Sequence, residues 1–487
     1  MIRELLNLFF IIQSNLSTRL RNYREIELNS ILKVIVLTVF FFFLFIEKNG
    51  SFLYGSEGQV YLLLSVTYFS LMLNTRLKSE FLEILNVIFV VFYIFRIPFI
   101  FIPGSGSDVI LRSVDIAEID WYILLLSFQY LSLVLCIFII NPRFPRLSFD
   151  KPISEFVYSR VIFASSIIIL SNVIMTFLTF DIYFQNLSNF TAILKTIFTI
   201  KSASMVIMVS SIIVEKTIFQ KYKYLVFFIL LAGLAEITLQ GGKSGLLQMI
   251  LVLYLIVLVL KGTISFRFKG LIVLAFVAIL SIMLYLVAAL VRNHHVMQTS
   301  VGGFTNQMVL QLFEKSNYMD WINAISYRLG YFDFYIERVS NPIYEPYVSF
   351  SYYFKSVSDK LSPGFDFFNV PFMSRALYNA FHGPDPAIMN SNLITVFGES
   401  QILLGFFSFF LFVPILIFFR YSISYFKNFG HYISTLFYVY LAYLFYWWLT
   451  GMGLDMWVTF LVYDGIFIFV IIGIVRLLER RENILKN

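Results

Sequence analysis

The sequence predicts an all-α polytopic membrane protein that crosses the bilayer about twelve times, and three observations predict it. Hydrophobic residues make up 59% of the 487 positions, against ~45–50% in a soluble domain. The excess is gathered into runs of roughly 18–22 residues, enough for a helix to cross a hydrocarbon core about 30 Å thick. Charged residues, 13% of the chain, collect between those runs and leave material for one sizeable extramembrane segment only.

The elements follow in order. Residues 1–30 open with MIRELLNLFFIIQSNLSTRLRNYREIE, in which the apolar run Leu5–Ile12 is too short to span. No small-residue cleavage site follows it, so an amphipathic helix on the inner surface is expected rather than a signal peptide. Nine spans are then expected within 31–291: Ile31–Ile46, Gln59–Leu73, Phe81–Ile102, Trp121–Ile140, Val161–Phe180, Ala192–Val214, Tyr224–Gln240, Gly245–Leu260 and Leu271–Val291. A long loop occupies 292–390. Three spans close the bundle within 391–475, at Ser391–Phe419, Tyr432–Thr450 and Trp457–Val475, and residues 476–487 form a tail.

Charge gives this topology a direction. With the N-terminus inside, most of the 36 Lys and Arg fall on inner segments, among them Arg19, Arg21, Arg24, Arg76, Lys78, Arg143, Arg146, Arg476 and Arg480. Short loops with excess Lys and Arg lie on the cytoplasmic side, whereas long loops are largely exempt from the rule. Both termini are therefore expected in the cytoplasm and the 292–390 loop outside it. The loop carries apolar residues at helical spacing, as in QLFEKSNYMDWINAISYRLGYFDFYIERV, which predicts short amphipathic helices lying over the outer mouth of the bundle. The net charge of +7 forms no basic stripe, so no nucleic-acid partner is expected. The single cysteine, Cys136, lies in an apolar run and excludes a disulfide framework.

Ionisable groups inside spans are costly and usually functional. Arg96, Lys195 and Lys201 lie within expected spans, Lys243 in the outer turn GGKSG, Arg292 where the long loop begins, and Arg328 and Arg338 within it. Most of these cations fall at one level, the outer leaflet, where the charge rule disfavours them. A shared anion explains that pattern; local pairing or snorkelling of each side chain is the competing explanation. A lipid-linked pyrophosphate is an anion at that depth, and arginine grips phosphate bidentately. His294, His295 and His382 flank the loop and are candidates for a base that deprotonates an acceptor hydroxyl. Glu399 stands just inside a span, where a helix N-terminus favours a carboxylate.

Several motifs fail on inspection. GGKS at Gly241–Ser244 lacks the first P-loop glycine, since position 237 is Ile237. Glu118-Ile119-Asp120 resembles the acidic pair of metal-dependent lipid-sugar transferases, but next to Trp121 it equally marks a membrane boundary. His294-His295 lacks zinc-helix spacing. No metal and no cofactor is expected.

The layout of many spans, one large loop in the C-terminal half and closing spans resembles the Wzy-type O-antigen and oligosaccharide repeat-unit polymerases. Locally the resemblance rests on SYRLGYFDFYIERV (Ser326–Val339), SNLITVFGESQILLGFFSFFL (Ser391–Leu411) and GGKSGLLQMILVL. Arg292 followed by Gly303 fits the family's Arg-x10-Gly spacing, and no second copy starts at Arg328, Arg338 or Arg375. The resemblance implies a metal-independent, GT-C-like glycosyltransferase of the bacterial inner membrane. Such an enzyme takes a glycan from undecaprenyl pyrophosphate and transfers it, outside the cytoplasm, to a hydroxyl of a lipid-linked acceptor. It implies pyrophosphate binding by Arg292, Arg328, Lys243, Arg96 and Arg338, a base among His294, His295 and His382, a Glu399 carboxylate that orients an arginine or the sugar, and partners that include membrane lipid and a chain-length regulator protein. An O-antigen ligase shares the architecture, and a lipid-linked oligosaccharide flippase is a further alternative, against which the long loop and the absence of repeated halves argue.

Overall fold

A computed structural model describes residues 26–48, 57–98, 116–145, 152–178, 199–239, 245–262, 264–266, 331–361, 367–382, 395–450 and 453–486. Within them the chain is almost wholly helical. Helices α1 (Leu28–Lys48), α2 (Glu57–Leu77), α3 (Glu80–Phe89), α4 (Ile116–Ile140), α5 (Glu155–Leu178), α6 (Ile200–Ile213), α7 (Lys216–Leu239) and α8 (Gly245–Lys261) form the first part. The 292–390 stretch contributes three short helices, α9 (Tyr331–Ser340), α10 (Phe350–Leu361) and α11 (Met373–His382). Helices α12 (Val396–Leu404), α13 (Phe409–Phe426), α14 (His431–Thr450) and α15 (Leu454–Lys486) complete it. A two-residue antiparallel ladder pairs β1 (Ile26–Glu27) with β2 (Ser265–Phe266).

Seven of the described helices are long and apolar enough to cross a membrane, and α1, α6, α8 and α12 are shorter apolar helices. The chain is thus a helical multi-pass membrane protein. The expected span Leu271–Val291 and the N-terminal helix lie outside the described residues. Elsewhere the expected boundaries shift. The apolar run Ser391–Phe419 reads as one span, yet it is two helices parted by a 3₁₀ turn at Gly405–Phe407, with Gly405 at φ +55°. Only α13 crosses. Hydropathy could not reveal the break, because the turn is as apolar as the helices beside it. The last span is also longer than Trp457–Val475, running unbroken from Leu454 to Lys486.

Helix α14 is the axis of the bundle. It packs against α3, α6, α8, α12, α13 and α15, and 89% of it is buried, against 22% of α7. A helix apolar on every side belongs at such a centre, and α14 fills its surroundings with rings. Phe445 meets Phe81 at 4.8 Å and Phe419 at 5.5 Å, and Phe437 stacks on Phe426 at 3.5 Å. Asn86 is paired across helices: its Oδ1 accepts from Ser70 Oγ and Tyr130 Oη, both at 2.6 Å, tying α2, α3 and α4.

Helices α9 to α12 gather at one end of the bundle, here the loop end. The small core of Tyr344, Val348, Tyr353, Met373 and Leu377 packs there against Ile402, Leu403 and Leu454. At the opposite end Lys78 and Asn141 adopt positive φ just past α2 and α4, and their N–H groups return to Asn74 and Ile137 carbonyls, the left-handed helix stop.

Gly453, at φ +84°, starts α15 at the loop end, where an added Cβ would lie 2.5 Å from Met373 Cε and 2.9 Å from Asp455 Oδ1. Gly453→Ala should destabilise the protein by about 1–2 kcal/mol through the left-handed backbone alone. Thermal unfolding in detergent checks this; an unchanged midpoint would mean that the turn relaxes freely.

Candidate functional site

Buried charge at the loop end falls into three groups. The first sits on the continuation of α3. After Phe89 the helix widens into a π turn, Val90–Ile94, a feature frequent at functional sites. Arg96 follows it and is 2% exposed. The rings just before Arg96 face α9: Phe92 stacks on Tyr331 at 4.5 Å and Tyr93 meets it edge-on at 6.2 Å. Phe397 of α12 closes on Tyr93 at 5.7 Å. Tyr335, one turn along α9, is wholly buried, and its Oη has no hydrogen-bond partner among the described residues.

The second group joins three helices. Lys201 occupies the first turn of α6, Glu236 the last described turn of α7, and Asp464 lies roughly 15 Å along α15. Lys201 is within electrostatic reach of both carboxylates, and its Nζ lies 5.4 Å from the Trp447 ring and 5.8 Å from that of Phe460. Thr199 builds this corner: its Oγ1 accepts the N–H of Ser202 as the α6 cap (3.3 Å) and donates to Asp464 Oδ1 (2.9 Å). Asp464 and Glu236 are each 2% exposed. Rings link this group to the first, since Trp447 touches Tyr446 at 5.6 Å and Tyr446 lies beside Tyr331.

The third group fastens the loop helices down. Asp455 Oδ2 accepts from Ser356 Oγ of α10 (2.7 Å) and from Met373 N of α11 (2.8 Å), while Oδ1 accepts from Met456 N (2.7 Å). Glu399 Oε1 accepts from Leu454 N (2.7 Å), capping α15 from α12. One helix start thus holds α10, α11 and α12 together. Asp359 secures the 367–370 bend, accepting from Phe368 N (2.8 Å) and Val370 N (2.9 Å). Burial acts to raise the Asp359 carboxyl, but the Val370 and Phe368 N–H groups outweigh it and hold it below the usual carboxylate range. A depressed folded-state value gives stabilisation that is full above the unfolded value of about 3.9 and is lost as pH falls through the folded one. Corrected for the intrinsic pH dependence of exchange, protection of the Phe368 and Val370 amides should therefore hold at neutral pH and fall only below about pH 4. Loss of protection already at pH 6 would assign it to another group.

Of the cations expected to share an anion, Arg96 is buried at the loop end as described. Arg338 is buried too, but it is engaged locally, paired with Glu337 and donating from Nη1 to Tyr344 Oη at 2.8 Å. Tyr344 Oη in turn donates to Glu337 Oε1 at 2.9 Å. Arg292, Arg328, Lys243, His294, His295 and Lys195 lie outside the described residues. His382 ends α11, and its side chain lies outside them as well. Lys201, expected deep in a span beginning at Ala192, stands in the first turn of a helix capped at Thr199. Glu399 lies in the first turn of α12, and its carboxylate also caps the start of α15.

Reading spans for charge found Lys201 but passed over Asp464 and Glu236. Both sit in apolar stretches, LVYDGIFIFV and LLAGLAEITL, and the rule that singled out Arg96 applies to them equally. Asp455 carried no such signal, since an acid at a span boundary is ordinary. Among the described residues no three His, Cys, Asp or Glu side chains are placed to hold a metal. No family model, characterised protein or solved structure matches this chain.

Proposed function

We propose that the chain is a membrane glycosyltransferase that polymerises lipid-linked oligosaccharide repeat units at the loop end of the bundle, facing away from the cytoplasm. The anomeric carbon–oxygen bond to undecaprenyl pyrophosphate breaks, a bond to an acceptor hydroxyl forms, the hydroxyl proton passes to a base, and the lipid pyrophosphate leaves. One observation carries the reading: Arg96, Glu236 and Asp464 are each 2% exposed within the bundle, and Lys201 lies within electrostatic reach of the two carboxylates. Charged groups kept at that depth are expensive and mark substrate sites. The buried Tyr335 hydroxyl has no hydrogen-bond partner among the described residues, which supports a polar ligand beside α9.

In this reading Arg96, with Arg292, Arg328 and Lys243, holds the pyrophosphate and stabilises the charge that grows as its bond breaks. His294, His295 and His382 are the base candidates. Glu399, with Arg338, positions: it sets the start of α15, and so the placement of Asp455 and Asp464.

Deletion of the gene should leave single-repeat glycans on the cell surface and abolish polymer. Arg96→Ala, Arg292→Ala and Arg328→Ala should each lower polymer formation about 100-fold, the scale of losing one transition-state donor, while the protein still inserts. Normal polymer ladders in all three would remove the pyrophosphate site. Inward-facing lipid-linked units accumulating in the deletion strain would replace the polymerase reading with a flippase.

A further inference from the structure

Helix α10 is built inside out. Its buried positions are Tyr353, Ser356 and Asp359, while Phe350 and Phe354 stand 57% and 69% exposed. Water favours the opposite arrangement. The polar residues are used internally, Ser356 on Asp455 and Asp359 on the 367–370 bend. That bend adds two more exposed rings, Phe367 and Phe368, and Phe368 meets Phe354 at 6.4 Å. A cluster of this kind is a contact surface, since isolated apolar side chains are normal but contiguous patches are not.

Between these rings and α15 runs a groove of 680 Å³, walled by Phe354, Val357 and Phe368 and floored by Leu454, Asp455 and Val458. Asp455 is its one charged group, and both of its oxygens already accept hydrogen bonds. Apart from the Ser358 and Tyr353 hydroxyls the rest of the lining is apolar, so a sugar or phosphate in the groove would give up water with few replacement partners, and the lining favours hydrocarbon. Its depth agrees. Tyr463, more than two turns into α15, donates to the Lys360 carbonyl at 2.5 Å, which sets the end of α10 level with the apolar part of that span. Two cations ride on the same helix: Lys355 is exposed, and Lys360 Nζ rests 5.6 Å from the Phe372 ring. Long lysine stems reach from apolar surroundings to the level of lipid phosphates.

We propose that α10 and the 367–368 bend lie in the leaflet at the loop end, and that the groove binds one acyl chain of an anionic phospholipid whose phosphate pairs with Lys355 and Lys360. This site does not depend on the glycan reading, and it would serve to seat the loop helices on the bundle.

The test uses the full chain in nanodiscs doped with phosphatidylglycerol or phosphatidylcholine carrying a photoactivatable diazirine on one acyl chain. Peptides 350–361 and 454–458 should be labelled several-fold above the lipid-facing α4 peptide that contains Phe138 and Ile139, and more from phosphatidylglycerol than from phosphatidylcholine. Val458→Trp, which fills the groove, should bring labelling down to the α4 level, and Lys355→Gln with Lys360→Gln should abolish the headgroup preference. Labelling no stronger than that of α4 would overturn the site, and equal labelling from the two lipids would overturn the phosphate pairing. A measurement independent of groove-filling variants uses Phe354→Cys in a Cys136→Ser background. Its thiol should resist a water-soluble maleimide in nanodiscs, and modification as fast as in the unfolded chain would place α10 in water and end the proposal.

Discussion

Replacing Asp455 with alanine is expected to release α10 and α11 from the bundle. The carboxylate receives Ser356 Oγ, Met373 N and Met456 N, all within 2.8 Å, and it is fully buried. Truncation leaves those donors without an acceptor in a closed interior, at about 1–3 kcal/mol for each unsatisfied group. The loss should reach roughly 3 kcal/mol or more and should be local before it is global, because the axis around α14 makes no use of this acid. Hydrogen exchange or limited proteolysis in detergent should show residues 350–382 opening while α14 stays protected. Asp455→Asn keeps one acceptor oxygen and should fall between alanine and wild type. Equal protection of the loop helices in wild type and alanine variant would show that apolar packing by Tyr353, Met373 and Leu377 holds them without the acid.

Lys201→Met is expected to be among the most damaging substitutions within the bundle. It leaves the buried Asp464 and Glu236 carboxylates without the cation whose field reaches both, a loss of up to about 3 kcal/mol. Asp464→Leu should cost less, since Glu236 still faces the lysine. The informative variant is the double one. Removing lysine and aspartate together takes away the stranded charge, so the double variant should be more stable than Lys201→Met, with a coupling energy of about 0.5–3 kcal/mol. Thermal unfolding of the four proteins in nanodiscs measures the cycle; strictly additive losses would mean that the side chains do not interact. Glycan transfer should remain lost in the stable double variant if the cluster serves substrate, and should return with stability if the cluster only holds helices together.

How much of this was legible beforehand differs by element. The crossing helices α2, α4, α5, α7 and α14 announce themselves through apolar length, a local property that needs no neighbour. Helix ends were harder. Nothing in an unbroken apolar run tells that Gly405 turns the chain, or that Thr199 begins a helix by capping it while bonding a carboxylate some 265 positions away. Among the charged residues, Arg96 was legible because one arginine in an apolar run is conspicuous. Arg338 looked equivalent to it, yet its partners Glu337 and Tyr344 are six positions away or fewer, and only the turn after α9 brings them round to it.

By itself the sequence determined that this chain lives in a membrane, that its helices cross repeatedly, and that one aromatic segment is left over beyond them. Those outcomes follow from composition and run length, which set the free energy of placing each segment in lipid or water. Tertiary structure alone decided which charges meet. Lys201, Glu236 and Asp464 come from three helices, and Ser356, Met373 and Glu399 reach the start of α15 from three more. Such contacts depend on the order and rotation of packed helices, and those are settled by side-chain fit across the bundle rather than by any period in the chain. The same packing turned α10 over, placing its serine and aspartate inward and its phenylalanines outward.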